Sequence, residues 1–158
     1  MKKWINVLFL CMVFFILAAF KNADQLQITE ITTMIDKENG LLRYEFQIIN
    51  NGDEPIKSEF DYPGHENYGI EIVVQPKEAL ANLMVTDATS KHPKMQPLEK
   101  GWKEYFEPGK ENPFYISYKI KEDADFSNVT KHALDADLLI LDGTEISKRI
   151  PLQEYKKK

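Results

Sequence analysis

The constraint that bears hardest on this chain is a two-residue period. Leu42, Tyr44, Phe46 and Ile48 alternate with Arg43, Glu45 and Gln47. A pleated strand sends successive side chains to opposite faces, so this run has one apolar and one wet face. The pattern returns at Ile56, Ser58, Phe60 and Tyr62, and again at Phe114, Ile116, Tyr118 and Ile120. A helix would scatter such residues around its circumference, so helical bundles are excluded. The phase predicts Tyr44, Phe46, Phe60, Ile116 and Tyr118 as core. Between the first two runs, Asn50-Asn51-Gly52-Asp53 supplies turn chemistry, because Asn and Gly tolerate positive φ. The runs at 42–48 and 56–62 therefore read as one antiparallel hairpin.

Weaker signals extend the pattern. Leu26 and Ile28 are in one phase and Ile31, Thr33 and Ile35 in the other, which predicts a bulge near Thr29. Ile70, Ile72 and Val74 form a short strand stopped by Pro76. Leu138 to Leu141 is a continuous apolar run, the mark of a strand covered on both faces. Asp142-Gly143 turns it, and Ile146, Arg149 and Ile150 belong to the return strand. Lys77 to Met84 suits a short helix, Glu122 to His132 a polar loop with one helical turn, and Thr86 to Gly101 a long surface loop rich in Pro, Ser, Thr and Lys. About seven or eight short strands, with turns roughly ten residues apart, predict an all-β antiparallel sandwich.

Before this domain stands an apolar leader. Lys2 and Lys3 precede Ile5 to Phe20, which is broken only by Asn6. As a helix that run rises roughly 24 Å, short of a ~30 Å hydrocarbon core. It reads as a signal peptide trimmed after Ala19, or as an N-terminal membrane anchor that stays attached. Either way the chain is expected to act outside the cytoplasm, secreted or at the cell surface. Residues 1–23 are thus assigned to the leader, 24–153 to the sandwich and 154–158 to a basic tail expected to fray. The one cysteine, Cys11, lies in the leader, so the domain has neither disulfide nor thiolate metal site and depends on packing alone. Without Lys2 and Lys3 the formal charge moves from −5 to −7. That acidity argues against a nucleic-acid partner and suits a cationic one.

A resemblance follows from particular residues. The run Tyr44 to Ile56 (YEFQIINNGDEPI), then Phe106 to Gly109 (FEPG) and Phe114 to Tyr118 (FYISY), resembles bacterial extracytoplasmic immunoglobulin-like domains. The layout is also similar to the intracellular proteinase inhibitor family of bacilli. The resemblance spans residues 42 to 121 and rests on turn chemistry. It implies an immunoglobulin-like β-sandwich and leaves activity open.

Catalytic chemistry is sparse. The histidines are His65, His92 and His132, and none sits in a zinc-binding helix motif; there is no nucleophile elbow, phosphate loop or dinucleotide fingerprint. No cofactor or metal is expected. The segment 61–69 gathers Asp61, His65, Glu66 and Asn67 between Tyr62 and Tyr68, as a recognition loop, a metal site built on His65 with oxygen ligands, or an ordinary turn would. Asp123, Asp125, Asp135 and Asp137 raise calcium binding but lack the EF-hand spacing. Tyr115 is out of phase with Phe114 and Tyr118 and so faces the wet side. The candidate binding residues are therefore His65, Glu66, Tyr68 and Tyr115. The expected function is a non-enzymatic interaction module that meets a protein through end loops or a sheet edge. The alternatives are a small-molecule, sugar or metal-ion binding protein, and a proteinase inhibitor.

Overall fold

The first hairpin is shaped by one carboxylate. Asp36 Oδ1 accepts from the backbone N–H groups of Glu38 and Asn39, both at 3.1 Å, and Oδ2 accepts from Asn39 Nδ2 at 2.7 Å. Gly40 follows at φ +64°, a region glycine enters without steric cost. This turn joins β1 (Leu26–Asp36) to β2 (Leu41–Asn50). Their register shifts between Ile28 and Glu30, which is the bulge that the change of phase predicted. The computed structural model describes residues 23–57, 70–87, 94–101, 105–142 and 145–156.

After β2 come β3 (Ile56–Lys57), β4 (Ile70–Pro76), β5 (Thr86–Asp87), β6 (Lys94–Met95), β7 (Pro97–Gly101), β8 (Tyr105–Phe106) and β9 (Glu111–Lys119). Then follow β10 (Ala136–Asp142) and β11 (Glu145–Pro151). Two short helices interrupt them, α1 (Glu78–Ala81) and α2 (Phe126–His132). Four strands order as β1-β2-β9-β7 and three as β11-β10-β4, every pairing antiparallel. Two-residue ladders join β3 to β8 and β5 to β6. The fold is all-β, built on two antiparallel sheets.

The two sheets share one core. Leu42, Tyr44, Phe46 and Ile48 from the larger sheet meet Ile72, Val74, Leu138 and Ile140 from the smaller. Tyr44 stacks on Phe46 with centroids 5.9 Å apart and meets Tyr118 edge-on at 6.0 Å. Of the predicted core, Tyr44, Phe46, Ile116 and Tyr118 are buried; Phe60 lies outside the described residues. Leu138 to Leu141 is buried throughout. Leu138 and Ile140 join the main core, and Leu139 and Leu141 join Val73 in a second cluster.

Three sequence expectations are corrected. The predicted hairpin is not seen: β2 is flanked by β1 and β9, and Ile56 pairs with Phe106, while 58–62 lie outside the described residues. Asn50, fully buried, redirects the chain. Its Nδ2 donates to the carbonyls of Glu54 (2.8 Å) and Phe106 (3.1 Å), and its Oδ1 accepts from Gly52 N (2.9 Å). Nor is 86–101 only a loop, since its end is strand β7, paired with β9 through Glu99–Ser117 and Gly101–Tyr115. An edge strand has no buried alternation to announce it, and it tolerates Pro97. Where one helical turn was expected in 122–132, residues 126–132 form a two-turn helix. Asp125 caps it by accepting from Ser127 N (2.9 Å) and Ser127 Oγ (2.7 Å), and Val129 is its buried residue.

Through Lys156 the C-terminal segment is held down, where fraying was expected from 154 onward. Leu152–Tyr155 forms a 3-10 turn with Leu152 buried and Tyr155 packed against the core. Lys148 Nζ donates to the carbonyls of Asp24 (2.8 Å) and Leu26 (2.6 Å), covering the first part of the edge of β1. Lys156 Nζ donates to Asp135 Oδ1 at 2.6 Å; Lys157 and Lys158 lie outside the described residues. Burial pushes the Asp135 carboxyl upward, but hydrogen bonds from Lys156, His132 and Gln153 outweigh this and hold it at about 2. The unfolded chain therefore takes the proton first, so this carboxylate stabilises the fold above about pH 4 and ceases to do so as pH falls toward 2. Asp135→Asn is expected to cost about 1 kcal/mol at pH 7, a figure reduced for solvent screening. Urea midpoints measured against pH should show wild type and variant converging toward pH 2; a constant gap would contradict this role.

Candidate functional site

The alternation that buries Tyr44 and Phe46 turns Arg43, Glu45 and Gln47 to the other face of the four-stranded sheet. On β9 the same rule puts Tyr115 and Ser117 on that outer face. Register decides which of these side chains meet. Glu45 is opposite Tyr115 and Arg43 is opposite Ser117, with Met34 of β1 beyond Arg43 and Gly101 of β7 beyond Tyr115.

Tyr115 is the centre of the resulting group. The Arg43 guanidinium carbon lies 4.1 Å from its ring centroid, within cation–π range. Arg43 Nε donates to Glu45 Oε1 at 2.9 Å, and NH1 lies 3.9 Å from Glu99 Oε2. The ring rests directly on Gly101, where a Cβ would come within 2.3 Å of Tyr115 Cε1. An aromatic side chain here covers bare backbone across the strand pair. Even so, Tyr115 stays 38% exposed, Met34 46% and Leu98 52%.

Beside the ring lies a shallow depression of ≈ 480 Å³, lined by Leu41, Leu98, Ser117, Arg43 and Glu99, with Asp36 and Asn39 at the hairpin end. Its floor is partly apolar, and charges of both signs stand on its rim. The Asp36 carboxyl is held below the usual range, chiefly by the hydrogen bond from the Asn39 side chain, and is ionised at neutral pH.

The other sequence candidates fall elsewhere. His65, Glu66 and Tyr68, with the whole 61–69 segment, lie outside the described residues, as does His92. Three of the four aspartates considered for calcium have separate partners. Asp125 caps α2; Asp135 takes His132 Nδ1 at 2.6 Å; Asp137 takes Arg149 at 2.8 Å and Lys77 at 3.7 Å. Among the described residues, no three His, Cys, Asp or Glu side chains assemble into a metal-binding group. Among the described residues, too, no helix is long and apolar enough to cross a membrane. Sequence reasoning identified Tyr115 but missed Arg43, Met34, Leu98 and Gly101. The phase of Arg43 was readable beside Tyr44, whereas Gly101 acquires meaning only through its pairing with Tyr115.

No protein family, curated protein or solved structure matches this chain.

Proposed function

We propose that this chain is a non-enzymatic interaction module of immunoglobulin-like type, presented outside the cytoplasm by its apolar leader. It binds a protein through the outer face of the four-stranded sheet. The observation that carries this reading is Tyr115, an exposed aromatic held in one orientation by Gly101 and Arg43. A ring fixed before binding loses little side-chain entropy on contact, which is why tyrosine and arginine recur as interface anchors. Met34 and Leu98 extend the apolar area on that face.

The test uses a photo-reactive phenylalanine analogue at position 115 of the full chain in cells, with Ile146 as the control position. Ile146 is similarly exposed at 42% but lies on the three-stranded sheet. A cross-linked protein is expected from position 115 and none from 146. Tyr115→Ala should abolish capture at a neighbouring probe position, Leu98, at a stability cost of only about 1 kcal/mol. Equal cross-linking from both sheets, or none from position 115, would end this reading.

A further inference from the structure

We infer that the segment docking on this face is basic, carrying lysine or arginine. This rests on the reading of the face as a protein-binding surface and names the chemistry of what it binds. Register puts Glu30 opposite Gln47 and Glu111 opposite Ile49, on the same outward phase as Glu45. Asp36 and Glu99 stand at the depression. Among the described residues, these five carboxylates share the outer face of the four-stranded sheet with only two cations, Arg43 and Lys119.

Both cations are engaged within the domain. Arg43 bonds Glu45 and lies over Tyr115, and Lys119 Nζ donates to the Asn39 carbonyl at 3.0 Å. The negative surplus is therefore what the face offers to solvent. By register the five carboxylates are strung along the sheet from the level of Leu41 to that of Ile49, roughly 27 Å, so together they make an acidic strip in which each acts within its own ~8 Å screening length. Incoming ammonium or guanidinium groups meet Glu99 on one side of the depression and Asp36 on the other, while an aliphatic stem lies on Leu41 and Leu98. A partner bearing acidic side chains would meet repulsion along the whole face.

The test titrates two synthetic heptapeptides, alternating lysine–leucine and alternating glutamate–leucine, onto the full chain in nonionic detergent. Binding is read from amide shifts at Glu45, Tyr115 and Ser117. The lysine peptide is expected to bind at least about tenfold more tightly than the glutamate peptide, and to weaken severalfold between 50 and 300 mM salt. Glu99→Lys combined with Glu30→Lys should weaken it by about tenfold with the thermal midpoint unchanged, since both side chains are exposed. Equal binding of the two peptides, or no effect of charge reversal, overturns the inference. Mapping the cross-link from position 115 separates the two levels. A captured partner whose contacting segment is neutral or acidic leaves the protein-binding reading standing and refutes the basic segment, and a basic contacting segment supports both.

Discussion

Asn50→Ala is expected to lower stability by about 3 kcal/mol, a fall of roughly 10 °C in Tm, although no apolar atom of the core is removed. The side chain is fully buried, and its amide serves three backbone groups. Alanine leaves the carbonyls of Glu54 and Phe106 and the Gly52 N–H without those partners. The buried Phe106 carbonyl costs about 1–3 kcal/mol when orphaned, and the part-buried bonds to Glu54 and Gly52 add less because water can replace them. Asn50→Asp separates the donor role from the acceptor role. The carboxylate still accepts from Gly52, but now points an anion at two carbonyl oxygens. That variant should be the less stable of the two at pH 7 and should recover as pH falls toward 4, because its carboxyl is raised in the folded state and protonation restores a donor. Urea unfolding of both variants across that range is the measurement. A loss under about 0.5 kcal/mol for Asn50→Ala would show that the amide does not hold this end of the sandwich.

Tyr118→Phe is the second large effect expected. Val74 lies on β4, the edge of the three-stranded sheet, and its N–H donates across the core to Tyr118 Oη at 2.8 Å. Tyr118 is 1% exposed, and burial raises its phenol far above the ordinary value, so the hydroxyl stays neutral throughout the working range. Removing that one oxygen leaves a buried amide without an acceptor, at about 2 kcal/mol. Hydrogen exchange isolates the effect. The Val74 amide should exchange roughly thirtyfold faster in the variant, whereas Leu138 amide protection should change only as much as global stability does. Tyr44→Phe is the comparison. Tyr44 Oη donates to the Ala133 carbonyl at 2.5 Å, and a carbonyl that loses one donor keeps a second lone pair for another. Its cost should be smaller. Val74 exchange unchanged in Tyr118→Phe would mean that the edge of β4 is protected by something else.

The inward set was legible in the sequence for a simple reason. Side chains alternate with a period of two, so Tyr44, Phe46, Ile116 and Tyr118 could not leave the core without every neighbour changing face. The bulge at Thr29 was equally legible, since it is a change of phase along one strand. Leu138 to Leu141 announced burial on both faces by lacking alternation. These are local properties, and local order writes them. Which strand lies beside which is different. Asn50 to Asp53 looks like a tight turn, yet Asn50 ties the chain to Phe106, more than fifty residues away, and β2 takes β9 as its neighbour instead. β7 showed no pattern because an edge strand buries too little of itself to select one. The candidate site divides the same way. The wet phase of Tyr115 was written in its neighbours, but its seat on Gly101 and under Arg43 depends on the β2–β9–β7 register. That register follows from fitting two sheets around one core, a long-range condition that no short window of sequence contains.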